Sequence, residues 1–454
     1  MSNSIPIKKD HSTNLSPLSK ERRFGTDGIR GPVDSTMNPL FVTKLGWAAG
    51  TVLLEEGITR VLIGKDTRIS GYMLESALQA GFISSGIDVI LLGPLPTPGV
   101  SFLANSNKQA GVVISASHNL FEDNGIKFFN KDGQKFSSEL ERRIEAKLSQ
   151  EIQSVKSINL GKATRMSDAQ GRYIEFCKSN FIDLDLSNLS ILLDCANGAT
   201  YSVAPKVFEE LGATVNTIGT DPDGININQN CGTTNPEYIS EEIKKGDYDL
   251  GISFDGDGDR ILLVSKTGKV LDGDDLLFIL SKDLSKGSGV VGTQMTNIAL
   301  QLFFKENGIE FSRADVGDKY VLQRLLEKNW LLGGEPSGHI ICLDAAQTGD
   351  AIIAALKLLD SLKANSFDVD TSIEGFTKFP QTLINLSVTS PNKIILNDKF
   401  WSEVTIIENE LGKKGRVLIR PSGTEPLIRI MVESEIEKNS EDYCNRLADL
   451  ASKL

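Results

Sequence analysis

VLIGKDTRISGYMLESALQAGFISSGIDVILLG, residues 61–93, holds the pattern that decides the fold. A short apolar run, VLIG, gives way to a polar loop, KDTRISG, then to the helix-like YMLESALQAGFISS, a glycine at Gly86 and a second apolar run, IDVILLG. Short apolar runs flanking a longer amphipathic segment read as strand, helix, strand, and a glycine is the residue that most readily ends a helix. Such a βαβ unit requires parallel strands and a right-handed crossover. The unit recurs: ILLDCANG (191–198) leads to APKVFEELGATVNTIG with its Gly212, and GVVGT (289–293) leads to NIALQLFFKENGIEFSRADVG with its Gly308. Three copies predict three related α/β domains with mixed sheets; one large doubly wound sheet would carry the same pattern.

The end of the chain reads differently. LINLSVTS (383–390), a helix-like WSEVTIIENELGKK (401–414), RVLIRPSGTEPLIRIMVES (416–434) and a last helix from Glu441 predict a smaller C-terminal α+β domain. The expected division is a disordered tail over residues 1–20 and domains over 21–165, 166–269, 270–378 and 379–454.

Composition narrows the function. The 454 residues carry a net charge of -12 with 40% hydrophobic residues, a soluble globular balance that argues against nucleic acid and against acidic membrane surfaces as partners. A phosphorylated substrate remains compatible, because a few placed cations suffice to bind it. Cys177, Cys195, Cys231, Cys342 and Cys444 are odd in number and widely spaced, unlike a disulfide framework, so a reducing cytoplasm is expected. No apolar run is long enough to span a bilayer, and MSNSIPIKKDHSTNLSPLSK has no apolar core of a secretory signal.

Several polar loops carry chemistry. In GVVISASHNLFEDNG, residues 111–125, Ser117 stands beside His118, one of three histidines in the chain. In an extended segment neighbouring side chains point to opposite faces, so a hydrolytic triad would need His11 or His339 as its base. In DLGISFDGDGDRILLV, residues 249–264, Asp255, Asp257 and Asp259 alternate with glycines between two apolar strands, which lets three carboxylates converge on one cation. A calcium loop of the EF-hand type would place Gly and Glu where Arg260 and Lys266 stand. Hard oxygen ligands with open positions suit Mg²⁺ that also takes a phosphate oxygen. LLGGEPSGHIICLD (331–344) alternates Glu335, Ser337 and His339 through a glycine-rich turn, and suits sugar hydroxyls or a plain strand entry. RVLIRPSGTEPLIRI (416–430) gathers Arg420, Ser422, Gly423, Thr424 and Arg429, a set that can hold a phosphate or form an ordinary turn. RFGTDGIRG (23–31) places Arg30 in a glycine-rich segment.

Taken together and in this order, GVVISASHN with DNGIKFF, FDGDGDR, GEPSGH and RPSGTEP resemble the phosphoserine, metal, sugar and phosphate loops of the α-D-phosphohexomutase family, from about residue 22 to the end. GTDGIRG, LLGPLPTPGV, RYIEFCKS, DCANGA, DPDGININ and CGTT are similar to its phosphoglucosamine branch. The resemblance implies four domains around a central cleft and an isomerase-class phosphotransferase. Ser117 would carry a phosphoryl group, and Ser117, Asp255, Asp257 and Asp259 would hold Mg²⁺. Glucosamine 6-phosphate and glucosamine 1-phosphate would interconvert through a 1,6-bisphosphate, which also serves as activator, on a monomer or homodimer. Lys127, Arg30 and His339 would surround the reacting oxygen and Arg260 would sit beside the metal. Glu335 and Ser337 would bind sugar hydroxyls, while Arg420, Ser422, Gly423, Thr424 and Arg429 would bind the phosphate that is not reacting. The sequence departs from the family pattern at Leu120, where proline is usual and its fixed φ would stiffen the phosphoserine loop, at Pro336 and at Lys319. Rival readings are a phosphomannomutase or phosphoglucomutase of the same family, a noncatalytic sugar-phosphate binding protein and a calcium module.

Overall fold

The computed structural model describes residues 23–34, 36–285, 287–388, 391–421 and 427–454. The expected tail over residues 1–20, and Ser422, Gly423 and Thr424 of the phosphate loop, lie outside the described residues. Two compact units form: one runs to Gly268 and takes in Ala345–Ala354, and the other holds Lys269–Asp344 and Ala355–Leu454.

In the first unit, β1 (Ile29–Pro32), β2 (Arg60–Lys65), β3 (Asp88–Pro94), β4 (Ala110–Ile114), β5 (Asp123–Phe129) and β6 (Ala163–Arg165) form a sheet ordered β1-β5-β4-β2-β3-β6. β2 pairs in parallel with β3 and β4, while β5 runs antiparallel to β4 and β1, so the sheet is mixed. The quoted unit folds as read. Helix Ser70–Ser85 crosses from β2 to β3, starting two residues earlier than its apolar pattern, and Gly86 ends it in the left-handed region at φ +99°. A second sheet of the same unit places β7 (Ser190–Asp194) between β8 (Thr214–Ile218) and β9 (Leu250–Phe254), both parallel to it, with β10 (Ile261–Ser265) antiparallel to β9. Gly212 again takes a positive φ, +102°, after the crossover helix Ala204–Glu210.

In the second unit, β11 (Gly289–Thr293) pairs in parallel with β12 (Glu310–Ala314) and β13 (Leu332–Gly334), and β14 (Ile340–Cys342) closes the sheet antiparallel to β13. A last antiparallel sheet orders β15 (Gln381–Ser387), β17 (Leu427–Ser434) and β16 (Gly415–Pro421), with helices Asp398–Leu411 and Glu437–Ser452 sharing its core. The final helix begins at Glu437, four residues before the expected Glu441. Within this unit the fully buried Glu433 receives Arg416 and the backbone N–H of Ile298 at 3.0 Å, while Arg416 donates to the carbonyls of Gln294 and Thr296 at 2.8 and 2.9 Å. Among the described residues the strands form four separate sheets, one for each βαβ unit and one for the C-terminal domain, and not a single doubly wound sheet.

Helix Pro39–Glu55 lies on helix Ser70–Ser85 at backbone contact. A Cβ at Gly81 would sit 2.2 Å from the Thr43 carbonyl oxygen and 2.7 Å from the Trp47 nitrogen, so only glycine permits the approach. Gly81→Ala should therefore force the helices apart and cost about 1–3 kcal/mol, the usual range for overpacking. Calorimetric unfolding checks it; an unchanged transition would show that the helices yield freely.

Candidate functional site

β4 and β9 are parallel-type strands, and in open α/β sheets ligand-binding loops gather beyond the carboxyl ends of such strands. Residues 115–122 follow β4, and residues 255–260 follow β9. The two loops meet: Ser117 Oγ donates to Asp255 Oδ2 at 2.6 Å, with both residues buried. Ser117 adopts φ +52°, a left-handed conformation that costs a non-glycine residue about 1–2 kcal/mol. That turn also corrects an expectation. Ser117 and His118 are not on opposite faces of an extended segment, and Ser117 Oγ lies 3.4 Å from His118 Nδ1. Burial, then the nearby Arg260 and Arg30, push His118 down to about 4, so its imidazole is neutral at pH 7.

Asp255, Asp257 and Asp259 each offer a carboxylate oxygen within 4.8 Å of the others. Asp255 Oδ1 is held by the backbone N–H groups of Gly258, Asp259 and Arg260, each at 3.1 Å, which leaves Oδ2 for Ser117. Burial, and then repulsion from Asp259 and Asp257, hold the Asp255 carboxyl well above the ordinary carboxylate range. Asp257 Oδ1 is buried without a hydrogen-bond partner among the described residues. Three hard oxygens, crowded and with one of them unpartnered, fit a divalent cation such as Mg²⁺.

Lys127 on β5 enters the cluster from the other loop's sheet. Its fully buried ammonium lies 2.7 Å from Asp257, 3.0 Å from Asp27 and 3.3 Å from Asp259. Burial alone would lower the lysine; Asp257, Asp27 and Asp259 outweigh it and hold Lys127 well above its ordinary value. Arg30 on β1 pairs with Asp27 and donates to the Ala116 carbonyl at 3.4 Å, and Arg260 Nε lies 4.0 Å from Asp259. The expected Ser117, Lys127, Arg30, Arg260, Asp255, Asp257 and Asp259 thus occupy one site.

Other expected residues lie in the second unit. Glu335, Ser337 and His339 stand on the β13–β14 hairpin, whose turn is closed by Gly338 at φ +89°. Glu335 is buried and accepts from the Gly317 N–H at 2.9 Å; Ser337 is exposed; His339 Nε2 lies 3.7 Å from Asp318 Oδ2. Arg420 on β16 and Arg429 on β17 are directly opposed across the C-terminal hairpin.

Sequence reasoning missed Asp27, the partner of Arg30, Lys127 and Lys135, and Thr97, which donates to Asp257. Asp27 sits within GTDGIRG, two residues before β1, but only the pairing of β1 with β5 brings it to Lys127.

Comparison with known proteins places these loops among relatives. Residues 21–154, 171–268, 272–379 and 383–450 match models of domains I, II and III and of the C-terminal domain of phosphoglucomutase/phosphomannomutase. The chain is 51% identical over 448 residues to the phosphoglucosamine mutase of Legionella pneumophila (strain Corby), covering 96% of this chain and 98% of that protein. Its fold is shared, at a TM-score of 0.82 and 24% identity over 96% and 98% of the two chains, with a phosphoglucomutase/phosphomannomutase family protein from Burkholderia thailandensis. It is shared at 0.67 and 15% identity, over 95% of each chain, with Aspergillus fumigatus N-acetylphosphoglucosamine mutase in complex with GlcNAc-6P and magnesium.

The crowded carboxylates have a consequence for stability. A carboxyl whose folded pKa is raised, as at Asp255, contributes stability present below the unfolded value and lost as pH climbs through the raised one. Chelated protein should lose stability at this site on that rise, and a divalent cation should restore it as the ligands ionise. Mg²⁺ should therefore raise the Tm more near about pH 8 than near about pH 5, measured by thermal shift. An equal or absent rise would contradict a cation site.

Proposed function

We propose that this chain, which belongs to the phosphoglucomutase/phosphomannomutase family, interconverts glucosamine 6-phosphate and glucosamine 1-phosphate through a phosphorylated Ser117. One observation carries the reading: a buried serine hydroxyl is pinned 2.6 Å from a three-carboxylate cluster with Lys127 beside it. A hydrolytic nucleophile needs a good base to take its proton, and the imidazole 3.4 Å away, pushed down to about 4, is a weak one. A phosphoryl carrier needs none to begin. The choice of glucosamine over other hexoses rests on the 51% identity to a phosphoglucosamine mutase across nearly the whole chain.

In the first half-reaction the bond from phosphorus to Ser117 Oγ breaks and one to O1 of glucosamine 6-phosphate forms, while O1 gives up its proton to a neighbouring base and the departing Ser117 Oγ takes one up. The resulting 1,6-bisphosphate turns over, the O6–phosphorus bond breaks as Ser117 Oγ gives up its proton and takes the phosphoryl group, and O6 gains a proton to leave glucosamine 1-phosphate. Lys127, kept charged by its three carboxylates, supplies positive charge beside the transferring group, and Arg30 and Arg260 add to it. His339, Lys127 and Arg30 are our candidates for handling the proton. When bound by Asp255, Asp257, Asp259 and the phosphorylated Ser117, Mg²⁺ supplies Lewis-acid stabilisation of the phosphoryl oxygens. We assign sugar hydroxyls to Glu335 and Ser337, and a free sugar 1,6-bisphosphate to priming unphosphorylated enzyme. Domain boundaries near residues 165, 269 and 378 and a cytoplasmic location belong to the same reading. Five buried cysteines, none in a disulfide, support the latter.

Arg420 and Arg429 support a phosphate at the far end of the substrate. Like charges directly opposite on a sheet repel. Here Arg420 and Arg429 are directly opposed in register, and Arg429 Nε is buried without a partner among the described residues, an arrangement an anion would relieve.

Primed with bisphosphate and Mg²⁺, the enzyme should turn over glucosamine 6-phosphate with a kcat/KM at least about tenfold above glucose and mannose 6-phosphates, a difference of about 1.4 kcal/mol. Ser117→Ala should abolish all three activities. A better rate on glucose or mannose phosphate would instead make this a phosphoglucomutase or phosphomannomutase. Arg420→Ala should raise KM by at least about tenfold, since a charged hydrogen bond contributes about 1.5–3 kcal/mol; steady-state kinetics checks it, and an unchanged KM would remove Arg420 from the phosphate site.

A further inference from the structure

The polar loop of the first βαβ unit, KDTRISG, has no part in the function proposed so far, yet it contains Arg68, whose side chain is fully buried. A guanidinium has five N–H donors in a rigid fork. All five are engaged. Nε donates to Asp66 Oδ2 at 2.8 Å. One terminal nitrogen donates to the carbonyls of Leu120 and, at 3.1 Å, Asp123; the other donates to those of Ser117 at 2.9 Å and Asn119 at 2.7 Å. Four of the five bonds therefore fall on backbone carbonyls of the Ser117 loop and of Asp123, the first residue of β5.

The surroundings complete the clamp. Asp66 Oδ1 accepts from the Arg68 N–H at 3.0 Å, and Asp66 Oδ2 accepts from Ser115 Oγ, which itself accepts from the Ser117 N–H at 2.9 Å. Asn228 Nδ2, from the neighbouring sheet's loops, reaches the same Ser117 and Asn119 carbonyls at 2.8 and 2.9 Å. Ser117 is thus held at both its N–H and its carbonyl, the condition for keeping a left-handed residue in place. Leu120 bears on the same point. The residue is 51% exposed and has no proline ring to fix its φ, and its carbonyl is held by Arg68.

We infer that Arg68 is the positioning residue of the phosphoryl-carrying loop, with Asn228 as its second support. It holds Ser117 Oγ on Asp255 without touching the substrate, since Asp66 and four carbonyls take every donor. The inference rests on Ser117 being the phosphoryl carrier. Lysine cannot reproduce the fork, having three donors on one nitrogen.

The test uses the full-length enzyme. Wild type is first checked for mutase activity and for phosphate on Ser117; absence of both would defeat the proposed function itself, before any variant is read. In Arg68→Lys, kcat and the single-turnover rate of transfer from phospho-Ser117 should fall by about a hundredfold, the cost of misplacing a reacting group by about 1 Å. KM for the sugar phosphate should stay within about twofold, because uniform substrate binding is untouched. Asn228→Ala, which leaves the buried ion pair intact, should show the same split to a smaller degree, and covers the case in which Arg68→Lys fails to fold. Transfer rates in folded variants within twofold of wild type, or KM rising in step with the fall in kcat, would overturn the inference.

Discussion

Burying three carboxylates within 4.8 Å of one another is the constraint on which the first unit depends. Ionised carboxylates removed from water are costly unless opposite charge meets them. The fold meets this by convergence: Lys127 from β5, Arg30 from β1 and Arg260 from the aspartate loop itself, with Lys135 and Asp27 added at the edge. The four carboxylates of Asp27, Asp255, Asp257 and Asp259 face the four cations of Arg30, Lys127, Lys135 and Arg260. A phosphoryl group on Ser117 would add a charge of about -1.5 to -2, which one divalent cation offsets.

Balance alone would not aim the serine. The chain does that with backbone devices at the carboxyl ends of parallel-type strands. Three successive amides gather on Asp255 Oδ1 and fix its other oxygen toward Ser117. On the opposite side, Arg68 and Asn228 turn the carbonyls of the serine loop to one face and hold Ser117 in its left-handed turn. The serine–aspartate contact is therefore the meeting of two loops each braced from behind, which is the requirement for a site that must hold reacting atoms to fractions of an ångström.

The departures from the family pattern fall where the structure tolerates them. Leu120 lacks the ring that a proline would supply and is anchored through its carbonyl, which accepts from Arg68. Pro336 needs no N–H of its own, and its carbonyl accepts from Gly273 at 3.1 Å. Lys319 lies in the first turn of the helix Asp318–Lys328, behind Gly317, whose N–H is taken by Glu335. These positions differ in side chain while the main-chain contacts that shape the loops are present.

The amino-acid sequence by itself determined the three βαβ units, because strand and helix periods and a helix-ending glycine are local properties: Gly86, Gly212 and Gly308 all take the positive φ that position demands. It also determined the chemistry of the aspartate loop, since three carboxylates alternating with glycines in a tight turn have few other uses. Tertiary structure alone decided what meets that loop. The contact of Ser117 with Asp255 joins residues 138 positions apart, and the engagement of Lys127 with Asp257 spans 130. Asp27 became part of the site only through the β1–β5 register, and Arg68 only because the end of β2 lies beside the end of β4. The left-handed turn at Ser117 was equally hidden, for it is imposed by hydrogen bonds from distant side chains and not by any preference of serine. Local propensity writes the elements, whereas burial of charge, which depends on every group within a few ångströms, selects the residues that complete the site.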